Sequence, residues 1–470
     1  ELVYADQCAS CHGRALDVTA YLLERNGYTA GSQQLTADGA TLSALTIRSR
    51  APAGFGARDA PDFIRGDDGL VPVGRGPTQE ELSAGYANSR DWLYHTHDYS
   101  GARYADLDEI NADNVASLVP ACVFQMGETG PFQSGPIVYD GVMYVTALRA
   151  TVAIDAATCR VLWRHEWEPM TPAFGLNNRG VAIKDGFVVR ATSDGYLFAL
   201  DAADGKLLWA RRIGDAEIGE TFTMPPLIYD DLIVIGPAVS EFAIEGWVGA
   251  FKLENGEPVW HFNTVPGAKD GTGTWPNPEN IVVGGGGVWT PLSFDPEIEE
   301  LYVAVTNPAP DFPAHLRPGL NLYTNSIVAL DIRSGTLNWY DQLVPNDTHD
   351  WDVTQVSPLF RTTVAGRERN LVAVSGKDAI LRVLDRDSHE RLYEVPVSTI
   401  ENADVPLTRE GVHVCPGLEG GVLWNGPAYN PRTDQLYVGS VEWCGTFSLT
   451  EEVRFVPGQM YMGGRLRPDA

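Results

Sequence analysis

The chain has 470 residues, 44% of them apolar, with 48 Gly, 31 Pro and 12 Trp, and its 62 acidic against 34 basic residues leave a net charge of −28. Such a field argues against nucleic acid and anionic membrane surfaces as partners and would steer a basic redox partner towards the protein. No apolar run reaches the roughly 18 residues of a membrane span. The length suits two or three average domains or one large radial repeat. The first residues carry neither a basic nor an apolar leader region, so any signal peptide is expected to have been removed.

Cys8 and Cys11 stand in CASCH with His12, the attachment pattern for c-type haem, in which two thiols add to the vinyl groups and the His ligates iron. A metal-binding or free Cys-x-x-Cys is the alternative. Residues 15–27, ALDVTAYLLERNG, are amphipathic and resemble the last helix of a cytochrome c domain, and no Met precedes Met126 to supply a second axial ligand. Residues 1–27 are therefore read as a partial cytochrome c-like segment whose middle is absent. Residues 28–90, rich in Gly, Ala, Pro and Ser, read as an extended linker, with a short helix expected at 78–87.

From here one phrase recurs: a small apolar run, a turn rich in Asp, Asn, Ser and Gly, then an aromatic residue. It reads AIDAATCRVLW at 153–163, ALDAADGKLLW at 199–209, AFKLENGEPVW at 250–260, ALDIRSGTLNW at 329–339 and, degraded, VLDRDSHERLY at 383–393. Each has the chemistry of a hairpin, because the turn residues accept positive φ at small cost. Trp163, Trp209, Trp260 and Trp339 would recur at one structural position; their separations are 46, 51 and 79 residues. The first two match the period of a β-propeller blade and the third leaves room for long inserted loops.

The phrase resembles the tryptophan-docking motif of the quinoprotein alcohol dehydrogenases, eight-bladed propellers that bind pyrroloquinoline quinone (PQQ), and the resemblance covers residues 91–470. It implies an all-β, eight-bladed-type propeller over 91–470, preceded by the partial cytochrome segment. Residues 91–115, DWLYHTHDYSGARYADLDEINADNV, resemble the family's first strand, which pairs with the last blade and closes the ring. After Gly464 no further phrase follows, so the last blades are expected to be missing or the ring closed another way. Cys415 and Cys444 match a family disulfide. Cys122 and Cys159 bracket the first repeat and form a second expected pair; buried free thiols are the alternative. The cysteine usage points to an oxidising, periplasmic compartment.

The same resemblance implies the site. A flat tricarboxylated quinone needs apolar faces, cationic or hydrogen-bonding groups at its rim, and a metal on one quinone oxygen. Trp289 falls on the floor of the cofactor site, and Arg179, in Asn178-Arg179-Gly180, on the partner of a PQQ carboxylate, a task suited to a forked guanidinium. Ala173 and Phe174 stand where the family carries two adjacent Cys, so Phe174 is a candidate cover for the other face. Thr223 matches a hydroxyl donor, Gln133 replaces a family Glu, and Asn425 matches a further polar contact. Glu241 and Asn307 match the metal ligands, hard oxygen donors for Ca²⁺ or a lanthanide(III) ion.

Asp350 falls on the family's general base, with His349 where a Trp is common, and Lys377 on the cation at the reactive quinone oxygens. For an isolated Asp, an Asx turn is the ordinary alternative. Asp352, two residues on, resembles the additional ligand of lanthanide-dependent members; a loop residue beside Ca²⁺ is the alternative. The expected cofactors are thus PQQ, one metal ion and haem c at the CASCH motif, with an alcohol as substrate and a cytochrome c or other periplasmic electron acceptor as partner. Two further classes stand beside this one: a non-catalytic propeller scaffold, which lacks the Glu241, Trp289, Asn307 and Asp350 set, and a degenerate propeller that binds partners after losing its cofactor.

Overall fold

The computed structural model describes residues 60–171, 177–266, 273–276 and 281–469. The CASCH motif with Cys8, Cys11 and His12, the segment 1–27, the first part of the expected linker, and Ala173 and Phe174 lie outside them.

Among the described residues five four-stranded antiparallel units follow one another. The first comprises Ile137–Tyr139, Val142–Thr146, Ala150–Asp155 and Val161–Glu166; the others span 182–212, 227–263, 293–342 and 353–396. First strands such as Ala182–Lys184 and Leu227–Tyr229 are buried throughout, whereas the fourth strands Pro258–Asn263 and Arg391–Pro396 are largely exposed. Each unit therefore runs from an inner strand to an outer one, the blade of a β-propeller. Shorter sheets follow: Val412–Val414 with Gly445–Leu449 and Gly464–Pro468, and Ala428–Asn430 with Gln435–Tyr437.

The repeated phrase is the hairpin between the third and fourth strands, and all five copies carry a register shift at the same place, between Ala153 and Ile154, Ala199 and Leu200, Ala250 and Phe251, Ala329 and Leu330, and Val383 and Leu384. The terminal tryptophan then locks each blade to the next. Trp163 Nε1 donates to the Ala202 carbonyl at 2.9 Å, Trp209 to Leu253 at 3.2 Å and Trp260 to Ile332 at 2.8 Å. The indoles lie on the turn glycines Gly205, Gly256 and Gly335, where a Cβ on Gly205 or Gly256 would meet the ring at 2.5 or 2.7 Å. Glycine is needed there for close approach as well as for positive φ.

The degraded phrase shows what happens without it. His389 stands at the glycine position with φ 60°, Trp339 stacks on its imidazole at 4.5 Å, and the indole N–H turns to Glu300. In the first phrase Cys159 holds that position with φ 58° and is bonded to Cys122. Cys415 and Cys444 form the other described disulfide.

Residues 91–115 depart from the strand expected of them. They contain no strand; Trp92 makes a single bridge to Val138 in the inner strand of the first blade. Residues 92–103 instead join several inner strands. The Tyr99 hydroxyl donates to Ile228 O, and Tyr94 donates to Leu292 O at 3.0 Å. Tyr99 O accepts from Phe294 N, Ser100 O from Leu359 N and Ala102 O from Tyr429 N. The physical reason is polar satisfaction: inner strands that face no neighbour in their own sheet find donors and acceptors in this segment. Upstream, Phe63–Arg65 adds a fifth strand to the outer edge of the second blade, covering an edge that would otherwise stay unpaired. A capped helix, Gln79–Ser83, and a 3-10 turn, Gly85–Ala87, follow.

Candidate active site

In a blade that runs up and down, the entry to the first strand and the loop from the second to the third strand lie at one end, opposite the phrase turns. Gln133, Arg179, Thr223, Trp289 and Asp350 precede first strands; Glu241, Asn307 and Lys377 follow second strands. Topology thus collects residues spread over more than two hundred positions at one end of the ring.

The Lys377 ammonium lies 3.1 and 3.0 Å from the two oxygens of Asp350 and 2.8 Å from Asp352 Oδ2. Asp352 also accepts from Trp289 Nε1 at 3.1 Å and, through its other oxygen, from the Asn307 backbone N–H at 3.0 Å. All of these except Trp289 are buried. Burial, and then the neighbouring Asp352 and Glu241 charges, push the Asp350 carboxyl well above the usual range, against the pull of Lys377. Burial opposes the Lys377 charge, but Asp350, Asp352 and Glu241 outweigh it and hold the ammonium well above its ordinary value. Glu241, half-buried on the turn Ser240–Phe242, is raised by burial and by Asp352.

The loop presenting Asp350 is built to hold a strained residue. Asp350 has φ 61°, an uncommon conformation for a side chain of this kind. Asp347 fixes the turn by accepting from the His349 and Trp351 N–H groups at 3.0 and 2.8 Å, and Asn325 Nδ2 donates to Trp351 O at 2.7 Å. Fully buried Arg317 donates to the Asp347 and Asp311 carbonyls. His349 stacks on Trp351 at 4.3 Å, and burial lowers its imidazole to about 4.

Beside this cluster Arg179 lies over the Trp289 ring at 4.5 Å and donates to Thr223 Oγ1 at 2.6 Å and to Trp289 O at 3.1 Å. Burial lowers the guanidinium to about 9. His95 supports the segment by a 3.0 Å contact of Nδ1 with Arg179 O. Gln133 accepts from Asn177 Nδ2 rather than reaching the cluster. Asn425 is exposed and bonds within its own region, to Gly439 O and Leu423 N.

The donors fit a hard cation. Asn307 Oδ1 is buried and has no hydrogen-bond partner among the described residues, while Glu241, Asp350 and Asp352 surround Lys377 with excess negative charge. His413, Cys415 and Cys444 also lie close together, but both sulfurs are spent in the disulfide. A cavity of about 790 Å³ lined by Tyr99, Phe294, Leu359 and Tyr429 shares no residue with the cluster. The cluster is marked by converging chemistry and not by that cavity. Sequence reasoning missed Asp311, Arg317, Asn325, Asp347 and His95, because no local spacing distinguishes them from ordinary loop residues.

The family described as PQQ glucose/ethanol/alcohol dehydrogenase, beta-propeller domain, matches residues 92–409. The chain is 29% identical over 411 residues to quinohemoprotein alcohol dehydrogenase ADH IIB of Pseudomonas putida, covering 80% of this chain and 60% of that protein. It is 31% identical over 409 residues to the quinoprotein alcohol dehydrogenase PedH of Pseudomonas putida, covering 77% and 68%. Against the lanthanide-dependent methanol dehydrogenase of Methylacidiphilum fumariolicum the identity is 27% over 458 residues, covering 88% and 73%. Among solved structures, a europium-containing methanol dehydrogenase superposes with a TM-score of 0.76 at 26% identity, covering 83% of this chain and 75% of that one. The chain thus spans about 60% to about 73% of these three curated relatives. On these matches and the blade pattern above, it belongs to the β-propeller family of the PQQ-dependent alcohol dehydrogenases.

Proposed function

We propose that the protein is a periplasmic, PQQ- and metal-dependent dehydrogenase that oxidises an alcohol, with Asp350 as general base. The observation that carries this is the convergence of Asp350 and Asp352 on one ammonium, beside an indole floor and an amide oxygen, Asn307 Oδ1, that nothing else claims among the described residues. Glu241, Asn307, Asp350 and Asp352 would hold the ion, Trp289 would floor the cofactor, and Arg179 and Thr223 would take its rim. Bound PQQ, together with the ion, would supply an acceptor for hydride. Asp350 takes the hydroxyl proton of the alcohol on a carboxylate oxygen. Lys377 keeps that carboxylate oriented and balances part of the negative charge around it.

Three acids and one amide suit a trivalent ion of about calcium's size better than Ca²⁺, so a lanthanide is the preferred metal. Relatives named as lanthanide-dependent and europium-containing support that preference. Haem c at Cys8, Cys11 and His12 and a cytochrome c acceptor complete the reading; relatives named quinohemoprotein support the haem.

The test is reconstitution of metal-free protein with PQQ and either Ca²⁺ or La³⁺, followed by calorimetry and alcohol-dependent dye reduction. Saturable binding and turnover, greater with La³⁺, are expected. Absence of binding with both ions overturns the reading, and equal activity with Ca²⁺ overturns the lanthanide preference.

A further inference from the structure

One acid in this region is not used by the reaction described above. Asp311 is 1% exposed, and neither of its carboxylate oxygens has a hydrogen-bond partner among the described residues. Leaving such a group buried and unpaired is costly, whereas an apolar side chain would cost nothing there. The residue is not loose. Arg317 Nε donates to Pro310 O at 2.7 Å and Nη2 to Asp311 O, Phe312 N donates to Met462 O at 3.0 Å, and Pro308–Ala309 pairs with Gly284–Gly285.

Its surroundings place it beside the loop that presents Asp350, because Arg317 Nη2 donates to both the Asp311 and the Asp347 carbonyls. The charges that act on the carboxyl are those of Glu241, Arg317, Asp347 and Lys377, and Asp350 in turn feels Asp311. Arg317 contributes charge but no hydrogen bond to the carboxylate, because its described donors go to the carbonyls of Pro310, Asp311 and Asp347 and to Asn321 Oδ1. Asp311 also stands outside the set that Lys377 bridges: the ammonium contacts Asp350 and Asp352. Half-buried Trp289 and Glu241 give the cluster an opening to solvent. An unpaired buried acceptor beside the loop that carries the general base is suited to something that enters with the substrate.

We infer that Asp311 is a specificity-determining residue: it accepts a hydrogen bond from a second donor group on the alcohol, a hydroxyl or an ammonium remote from the reacting carbinol. The inference rests on the alcohol-oxidation reading above. The protein then prefers diols or amino alcohols over plain alkanols, since an alkanol leaves Asp311 buried and unpaired.

The experiment compares butanol, butanediol and aminobutanol, with their propyl to hexyl homologues, on the reconstituted full chain carrying Asp311, Asp311→Leu or Asp311→Asn. The isosteric Asn variant covers the case in which Leu prevents folding. The expected result is that the kcat/KM ratio of the two-donor substrates to the alkanol falls about tenfold or more in Asp311→Leu, through KM. Rescue by Asp311→Asn for the diol alone assigns a hydroxyl, and failure of that rescue for the aminobutanol assigns an ammonium. Metal and PQQ affinity, read by calorimetry, stay unchanged. Equal loss on all substrates, or a fall in metal affinity, overturns the inference while leaving alcohol oxidation standing. No turnover of any alcohol by the unmodified, loaded protein overturns the alcohol reading itself.

Discussion

Asp350 combines three features that seldom coincide: positive φ, burial, and both carboxylate oxygens on one ammonium. The loop pays for its strain with the Asp347 turn and the Asn325 and Arg317 contacts beneath it. Asp350→Asn keeps the shape but removes the proton acceptor, so alcohol-dependent dye reduction falls roughly 10²–10⁴-fold. Calorimetry on the same variant separates that loss from weakened metal binding, and unchanged turnover would remove Asp350 from the mechanism. Asp347→Ala leaves the acid in place and frees its loop. The expected outcome is a lower kcat with substrate preference retained, measured on the same alcohols.

His95 allows a pH prediction at the same scale. Burial, then the Arg103 charge, lowers its imidazole from 6.5 to about 3, so the fold holds the neutral form against Arg179 O. A depressed histidine contributes stability that is complete above about 6.5 and lost as pH falls from there towards about 3. Buried acids such as Asp350 are raised and act in the opposite sense. The measurement is therefore the difference between the protein and its His95→Gln variant. Urea midpoints at pH values on either side of the histidine range should converge as the solution becomes acid, and parallel curves would show that His95 is not the group concerned.

At the scale of elements, the indole-on-glycine lock makes one blade's outer strand depend on the next blade's turn. Trp209→Ala removes a fully buried indole from this junction and is expected to cost about 3–5 kcal/mol, read as a shift of the urea midpoint. Gly256→Ala is expected to be destabilising from the other side, because the new methyl meets Trp209 and the residue keeps φ 68°. A double variant should then cost less than the sum of the two, since both break one contact. Additive losses would mean that the indole and the turn act independently. The fifth phrase shows that the lock tolerates a histidine only by replacing close approach with stacking.

For the whole molecule, the charge of −28 bears on which charged molecules approach the surface more than on the fold. With the loaded protein, reduction of a cationic dye such as phenazine methosulfate should slow as salt is added, and reduction of ferricyanide should quicken. The same salt trend for both acceptors would show that the net field does not steer them.

The chain alone determined the blade, because alternation, turn residues and the terminal tryptophan are local properties whose spacing survives any arrangement of the blades. It also singled out Glu241, Trp289, Asn307, Asp350, Asp352 and Lys377, since their surrounding motifs resemble a known family. The position of residues 92–103 was decided by tertiary structure: a segment that reads as a strand serves several inner strands at once, where their unpaired polar groups converge. Tertiary structure also decided the supports under Asp350 and the place of Asp311. Those roles depend on which loops the ring brings together and on which buried oxygens are left without a donor, and neither quantity is a function of neighbouring residues in the chain.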